Sequence, residues 1–251
     1  DSSDFPTLNQ YQGDQPGRDV FVTKFNSSGN SLLYSTYLGS DNVDWAFAIV
    51  VDNSQNAYVT GFTESTNYPL VNSFQGNQPG GDAFVTKLSS SGGTLIYSTY
   101  FGGSGQDTGN GIDVDSGGNA YVAGVTSSGN LPLFNNYQGD SSGPDAFMVK
   151  LVAAGNSLVY STYLGGNSDD AGDDIVIDEL GNAYITGDTR STNFPLIDPL
   201  QSTLKFTSDA FITVLNPTGN NLNFSTYYGG NSNDSGHGIT LDSERNIYVA
   251  G

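Results

Sequence analysis

Asp82-Ala-Phe-Val-Thr-Lys87 decides the fold, because the chain repeats it in each of four units. It returns as Asp19-Val-Phe-Val-Thr-Lys24, Asp145-Ala-Phe-Met-Val-Lys150 and Asp209-Ala-Phe-Ile-Thr-Val214, at successive intervals of 63, 63 and 64 residues. Two further signatures keep the same step. One is Tyr34-Ser-Thr-Tyr37, Tyr97-Ser-Thr-Tyr100, Tyr160-Ser-Thr-Tyr163 and Phe224-Ser-Thr-Tyr227; the other ends at Gly61, Gly124, Gly187 and Gly251 and opens on Asn56, Asn119, Asn182 and Asn246. A period of this length across a whole chain marks an array of one supersecondary unit.

Each unit holds four strand-like runs. In one, Ile112–Asp115 and Ala120–Gly124 flank a Gly-Asn turn and read as a hairpin. A long polar connection follows, and then Asp145–Leu151 and Ser157–Leu164 flank Ala154-Gly155-Asn156. No window sustains a 3.6-residue apolar period, so helices are not expected. A four-stranded antiparallel unit cannot cover both faces alone, and stacking around an axis solves this with only short free edges. The expectation is an all-β fold, a β-propeller of four-stranded antiparallel blades in one domain spanning 1–251, with units at about 1–61, 62–124, 125–187 and 188–251. Asp1 aligns with Glu64 and Gly251 with Gly61. The chain thus opens on strands three and four and closes on strands one and two, and these halves are expected to join as a composite blade. Because it starts with Asp1 rather than Met, it reads as a processed product or a segment of a longer protein.

The composition narrows the partners. Seven Lys+Arg oppose 26 Asp+Glu, for a formal charge of −19 and a pI near 4.1. Such a surface repels nucleic-acid phosphates and anionic membranes, and suits cations, basic proteins or neutral glycans. No apolar run approaches the roughly 18 residues of a membrane span, so membrane insertion is not expected. With no cysteine, disulfides and thiolate chemistry are excluded.

The pattern G-I-x-V-D-x-x-G-N-x-Y-V-x-G at Gly111–Gly124, with Phe194-Pro195, Asp82–Leu88 and Tyr160–Gly166, resembles the bacterial SBBP β-propeller repeat across all four units. The first two strands are also similar to the NHL repeat. That likeness implies that Ile112–Asp115 lines the axis and Tyr160–Leu164 lies at the rim. The SBBP resemblance further implies a secreted or surface-exposed bacterial module without defined catalytic residues; the family name implies seven blades, whereas four copies are present here.

Four groups of residues invite a functional reading. Asp44, Asp107, Asp170 and Asp234 recur in acidic loops, each eight residues before another aspartate. Their oxygens suit calcium, although the same residues serve equally to cap turns. No cofactor is required by any motif. Asp19, Asp82, Asp145 and Asp209 start the third strand, and Lys24, Lys87 and Lys150, five residues beyond the first three, are expected to be structural, in an Asp–Lys contact inside or between blades that the unit with Val214 does without. The Tyr-Ser-Thr-Tyr aromatics read as filler between blades, or as sugar-stacking platforms where exposed. Tyr11-Gln12, Phe74-Gln75 and Tyr137-Gln138, in the long connections, are the candidate ligand surface, since loops on a rigid scaffold carry function.

Catalysis has weak support. His237 is the single histidine, and Asp113 breaks symmetry where other copies carry Val50, Val176 and Thr240. The leading expectation is a non-enzymatic extracellular structural, adhesion or protein-interaction module. A glycan-binding propeller and a hydrolase with an axial site containing Asp113 are the alternatives.

Overall fold

The computed structural model describes residues 4–251; Asp1, where the first sequence unit begins, lies outside them. Among the described residues there are sixteen strands and no helix. An opening hairpin of β1 (Val20–Phe25) and β2 (Leu32–Leu38) precedes three complete blades. The first blade is β3 (Asp44–Val51), β4 (Ala57–Thr63), β5 (Asp82–Leu88) and β6 (Leu95–Phe101). The second is β7 (Asp107–Val114), β8 (Ala120–Thr126), β9 (Asp145–Leu151) and β10 (Leu158–Leu164). The third is β11 (Asp170–Ile177), β12 (Ala183–Thr189), β13 (Asp209–Leu215) and β14 (Leu222–Tyr228). A closing hairpin, β15 (Gly238–Leu241) and β16 (Ile247–Ala250), ends the chain.

Each blade is an antiparallel meander in chain order with conserved register: Gly61 faces Phe84, Gly124 faces Phe147 and Gly187 faces Phe211. The first strands β3, β7, β11 and β15 pack successively against one another and form the inner layer. The inner-to-outer order implied by the family likeness is therefore observed. The free outer edges are covered by the long connections, which bridge Val71 to Ser98, Phe134 to Ser161 and Ile197 to Ser225. Masking an edge in this way blocks its use as a template for another strand.

The core lies between blades, because each sheet is apolar on both faces. One cluster joins Tyr58 and Tyr97 of the first blade to Phe147 and Tyr163 of the second; another joins Tyr121 and Tyr160 to Phe211 and Tyr227. The tyrosine opening each Tyr-Ser-Thr-Tyr run is the wedge. Gly92 and Gly155 sit in the β5–β6 and β9–β10 turns at φ +77° and +75°, where a Cβ would strike the rings of Tyr34 and Tyr97 at 2.2 Å. Only glycine meets both requirements there, the left-handed backbone and the ring of the preceding sheet.

The composite blade does not form. β1–β2 and β15–β16 are separate two-stranded sheets, and β16 is not paired with β1. Ile49 registers the consequence: it is 58% exposed, while its equivalents Ile112 and Ile175, each covered by a preceding inner strand, are 6% and 4% exposed.

Replacing Gly92 or Gly155 by alanine is expected to destabilise the chain by roughly 2–3 kcal/mol, combining backbone strain with overpacking against a tyrosine. The shift of the urea midpoint measures it. The same change at Gly76, which has nothing within 4 Å of an added Cβ, is expected to be near neutral.

Candidate functional site

Three of the four recurring aspartates of the acidic loops, Asp44, Asp107 and Asp170, are strand residues, while Asp234 lies in the loop before β15. Asp107 and Asp170 are the first residues of β7 and β11, five residues ahead of the run that the sequence marked as strand one. Gly109 and Gly111 flank a bulge, which lets a glycine-rich stretch pair as a strand. Asp107 is fully buried, and its Oδ2 accepts hydrogen bonds from the Gly103 amide at 2.7 Å and the Ser128 hydroxyl at 2.8 Å. Its Oδ1 accepts from Thr126. Asp170 repeats this with Gly166, Ser191 and Thr189, and Asp44 accepts from the Ser40 amide and the Ser65 hydroxyl. Burial raises the pKa of all three, and these donors offset part of the rise. Asp234, half-buried, keeps the Gly230 amide.

These carboxylates therefore pin the start of each inner strand to the connection leaving the next. A calcium ion would have to displace those donors, and among the described residues no three His, Cys, Asp or Glu side chains gather as a metal cluster. The partner hydroxyls carry a signal that the sequence reading missed. Thr63 and Ser65, Thr126 and Ser128, Thr189 and Ser191 repeat at the same 63-residue step.

The second recurrent aspartates cap the β3–β4, β7–β8 and β11–β12 turns. Asp115 Oδ1 accepts from the Gly117 and Asn119 amides at 2.9 and 3.0 Å, and its Oδ2 accepts from the Tyr121 hydroxyl. Lys87 and Lys150 reach these caps, not the aspartates opening their own strands. Lys87 lies 3.2 Å from Asp52 and over the Tyr58 ring, and Lys150 lies 3.5 Å from Asp115 and over Tyr121. Although burial pushes Asp52 up, hydrogen bonds from Asn56 and the Lys87 charge hold it down at about 2. In the third blade, where Val214 replaces the lysine, Arg245 arrives from the following hairpin at 4.0 Å from Asp178. Lys24 instead donates to Gln55 and to the Ser90 carbonyl.

The candidate ligand loops also turn inward. Gln12, Gln75 and Gln138 each clamp a glycine backbone with their side-chain amide: Gln138 Nε2 donates to the Gly165 carbonyl at 2.8 Å while its Oε1 accepts from the Gly165 amide. Gln12 does so with Gly39, and Gln75 with Gly102. Tyr11, Phe74 and Tyr137 pack as half-buried covers on the interblade clusters. Around Tyr137, Gln138, Ser141, Asn193 and Pro195 the surface dips into a depression of about 300 Å³. The closing tyrosines are consumed as well: Tyr163 donates to the Ser128 carbonyl and accepts from the Leu131 amide, fixing the long connection.

At the axis, Asp113 Oδ2 accepts from the Ile177 amide of the next blade at 2.8 Å, and Asp174 repeats the link with Ile239. The asymmetric axial aspartate is thus a stitch between inner strands. His237 Nδ1 lies 3.0 Å from Asp173 Oδ2 on an exposed surface.

Lys150→Ala is expected to destabilise by about 1–2 kcal/mol, since it strips the half-buried Asp115 carboxylate of its cation and the Tyr121 ring of its cation–π contact. Arg245→Ala, which removes a half-exposed guanidinium 4.0 Å from Asp178, is expected to change stability by less than about 1 kcal/mol. Chemical denaturation of the two variants side by side separates them.

No curated relative matches the chain. The SBBP model, described as a beta-propeller repeat, matches residues 33–69, 96–132, 159–195 and 223–251. Each match runs from an outer strand of one sheet through the first two strands of the next, so the repeated unit spans the interblade junction built by the buried aspartates and wedge tyrosines. With four matches covering more than half of its length, the chain belongs to the SBBP beta-propeller repeat family.

Proposed function

We propose that this chain is a non-enzymatic extracellular module that serves a structural, adhesive or protein-binding role. One observation carries the reading: the aspartates, glutamines and tyrosines that recur at each unit are engaged in hydrogen bonds and packing within and between the blades. A repeat whose polar residues face inward offers neighbours a rigid surface, and a propeller enzyme needs one mouth where reactive groups converge. The charge of −19 favours a partner with a basic face, and association then weakens as salt rises. Calcium is not needed to hold such a surface together.

A glycan-binding reading has one observation in its favour, the depression lined by Tyr137, Gln138, Ser141 and Asn193, whose groups are those that face sugar hydroxyls and rings. The immobilised chain should be screened against surface glycans and extracellular proteins of the cell that makes it. Saturable capture of a protein, lost on unfolding in urea, is expected. Saturable glycan binding at more than one site per chain would replace this reading with the lectin. Turnover of a chromogenic ester or glycoside, abolished by Asp113→Asn, would replace both.

Thermal unfolding in millimolar calcium and in excess chelator is expected to give the same midpoint. A tight site filled at about 100 times its dissociation constant would add roughly 2.7 kcal/mol, so a clear saturable rise would return the Asp107 and Asp170 junctions to the cation reading.

A further inference from the structure

Two buried carboxylates meet at two of the blade junctions, Asp82 with Asp107 and Asp145 with Asp170, and no basic side chain joins either pair. Asp82 and Asp145, which open β5 and β9, are fully buried. Their Oδ2 atoms accept the Gln78 and Ser141 amides at 2.7 and 2.9 Å. Their Oδ1 atoms have no hydrogen-bond partner. Those orphaned oxygens point at Gly102 and Gly165, on whose other side stand the Oδ2 atoms of Asp107 and Asp170: a Cβ on Gly102 would lie 2.2 Å from Asp82 and 2.5 Å from Asp107, and one on Gly165 would lie 1.9 Å from Asp145 and 2.7 Å from Asp170. A glycine thus separates the two acids at each of these junctions, and a side chain on it would strike both.

The titratable groups facing Asp82 are Asp107 from β7 and the Tyr100 phenol from β6. Those facing Asp145 are Asp170 from β11, Asp140 from the long connection and the Tyr163 phenol from β10. All are acids. Two ionised carboxylates in a dry junction with no facing base are costly, whereas one acid and one carboxylate are not. Asp107 and Asp170 hold three donors each and are suited to stay ionised; Asp82 and Asp145 hold one each.

We infer that Asp82 and Asp145 bind protons as neutral carboxylic acids beside ionised Asp107 and Asp170, making these two blade junctions proton sites whose emptying loosens the propeller. Burial first, and the neighbouring carboxylate after it, push both residues up to about 7. The first junction repeats the arrangement across Gly39 in a less buried setting, with the half-buried Asp19 facing Asp44 and raised by the same causes. A folded pKa above the unfolded value near 3.8 gives stability that is complete below about pH 4 and lost as pH rises through about 7. This chain is therefore expected to be more stable in mild acid than in mild alkali, in spite of its acid-rich composition.

The unfolding midpoint of the chain at about pH 5 should exceed that at about pH 8.5 by roughly 5 °C or more. The Asp82→Asn, Asp145→Asn double variant should flatten that slope and match or exceed the parent at the alkaline end. Carbon-13 NMR of the aspartate carboxyls in the unaltered chain provides a readout independent of any variant, with two signals titrating near neutrality. A parent whose midpoint rises with pH, a double variant that keeps the parent's slope, or carboxyls that all titrate below about pH 5 would overturn the inference. So would an alkaline loss that millimolar calcium restores, which would assign the pair to a cation.

Discussion

The packing of one tyrosine ring beneath the turn of the next sheet is the constraint on which the rest depends. A four-stranded blade has two apolar faces, and each is covered only when a neighbour leans on it at close range. Gly92 over Tyr34 and Gly155 over Tyr97 set that range, because any side chain at either glycine would hold the sheets apart. Once the wedge is in place, Phe84, Phe147 and Phe211 are sealed, and the first strands are brought into contact at the inner layer. Stability in such an array is a sum over units and interfaces, so a defect at one wedge weakens two sheets at once.

Close approach of the sheets creates the second feature, a polar seam that must be satisfied without water. The seam uses side chains with short reach: Asp, Ser, Thr, Gln and the phenol of Tyr. Each supplies a hydrogen bond across a distance that the backbone geometry repeats, which is why the same residue types return at the same step. Charge is treated differently at the two ends of the blade. At the turn end, aspartates are paired with Lys87, Lys150 or Arg245 and stay ionised. At the junction end, acids face acids across a glycine. One end resists protonation and the other accepts it, so the chain's excess of acid is partitioned within the fold as well as displayed on its surface.

Periodicity made the blade legible: the hairpins, the inner-to-outer order and the rim position of Tyr160–Leu164 all follow from repeated strand-like runs and their family likeness. Three things did not follow. The start of strand one was hidden because Asp107-Thr-Gly-Asn-Gly111 has the composition of a loop, and only its bulged pairing with β8 and the buried Asp107 make it a strand. An Asp–Lys contact inside a blade was legible, but not which aspartate each lysine meets, because the partner sits on the β3–β4 or β7–β8 turn and not on the lysine's own strand. Closure did not follow because complementary sequence at the two ends does not by itself decide whether β16 pairs with β1, and the two hairpins stand as separate sheets.

The inward turn of the repeated residues also changes where function is to be sought. Recurrence within one chain is usually taken to mark multiple equivalent sites, and Gln12, Gln75 and Gln138 satisfy that pattern. Yet a residue that clamps a backbone glycine in every blade is constrained by the blade, and its repetition reports that constraint alone. Surface chemistry is free to vary only where the scaffold makes no demand. Here that means positions at which the four units disagree: Trp45 and Phe47 where other units carry small or polar residues, His237 beside Asp173, and Phe206 in the connection leading to β13. A partner that discriminates this propeller from others built of the same blades must read those departures, because the repeated positions are the ones the fold keeps for itself.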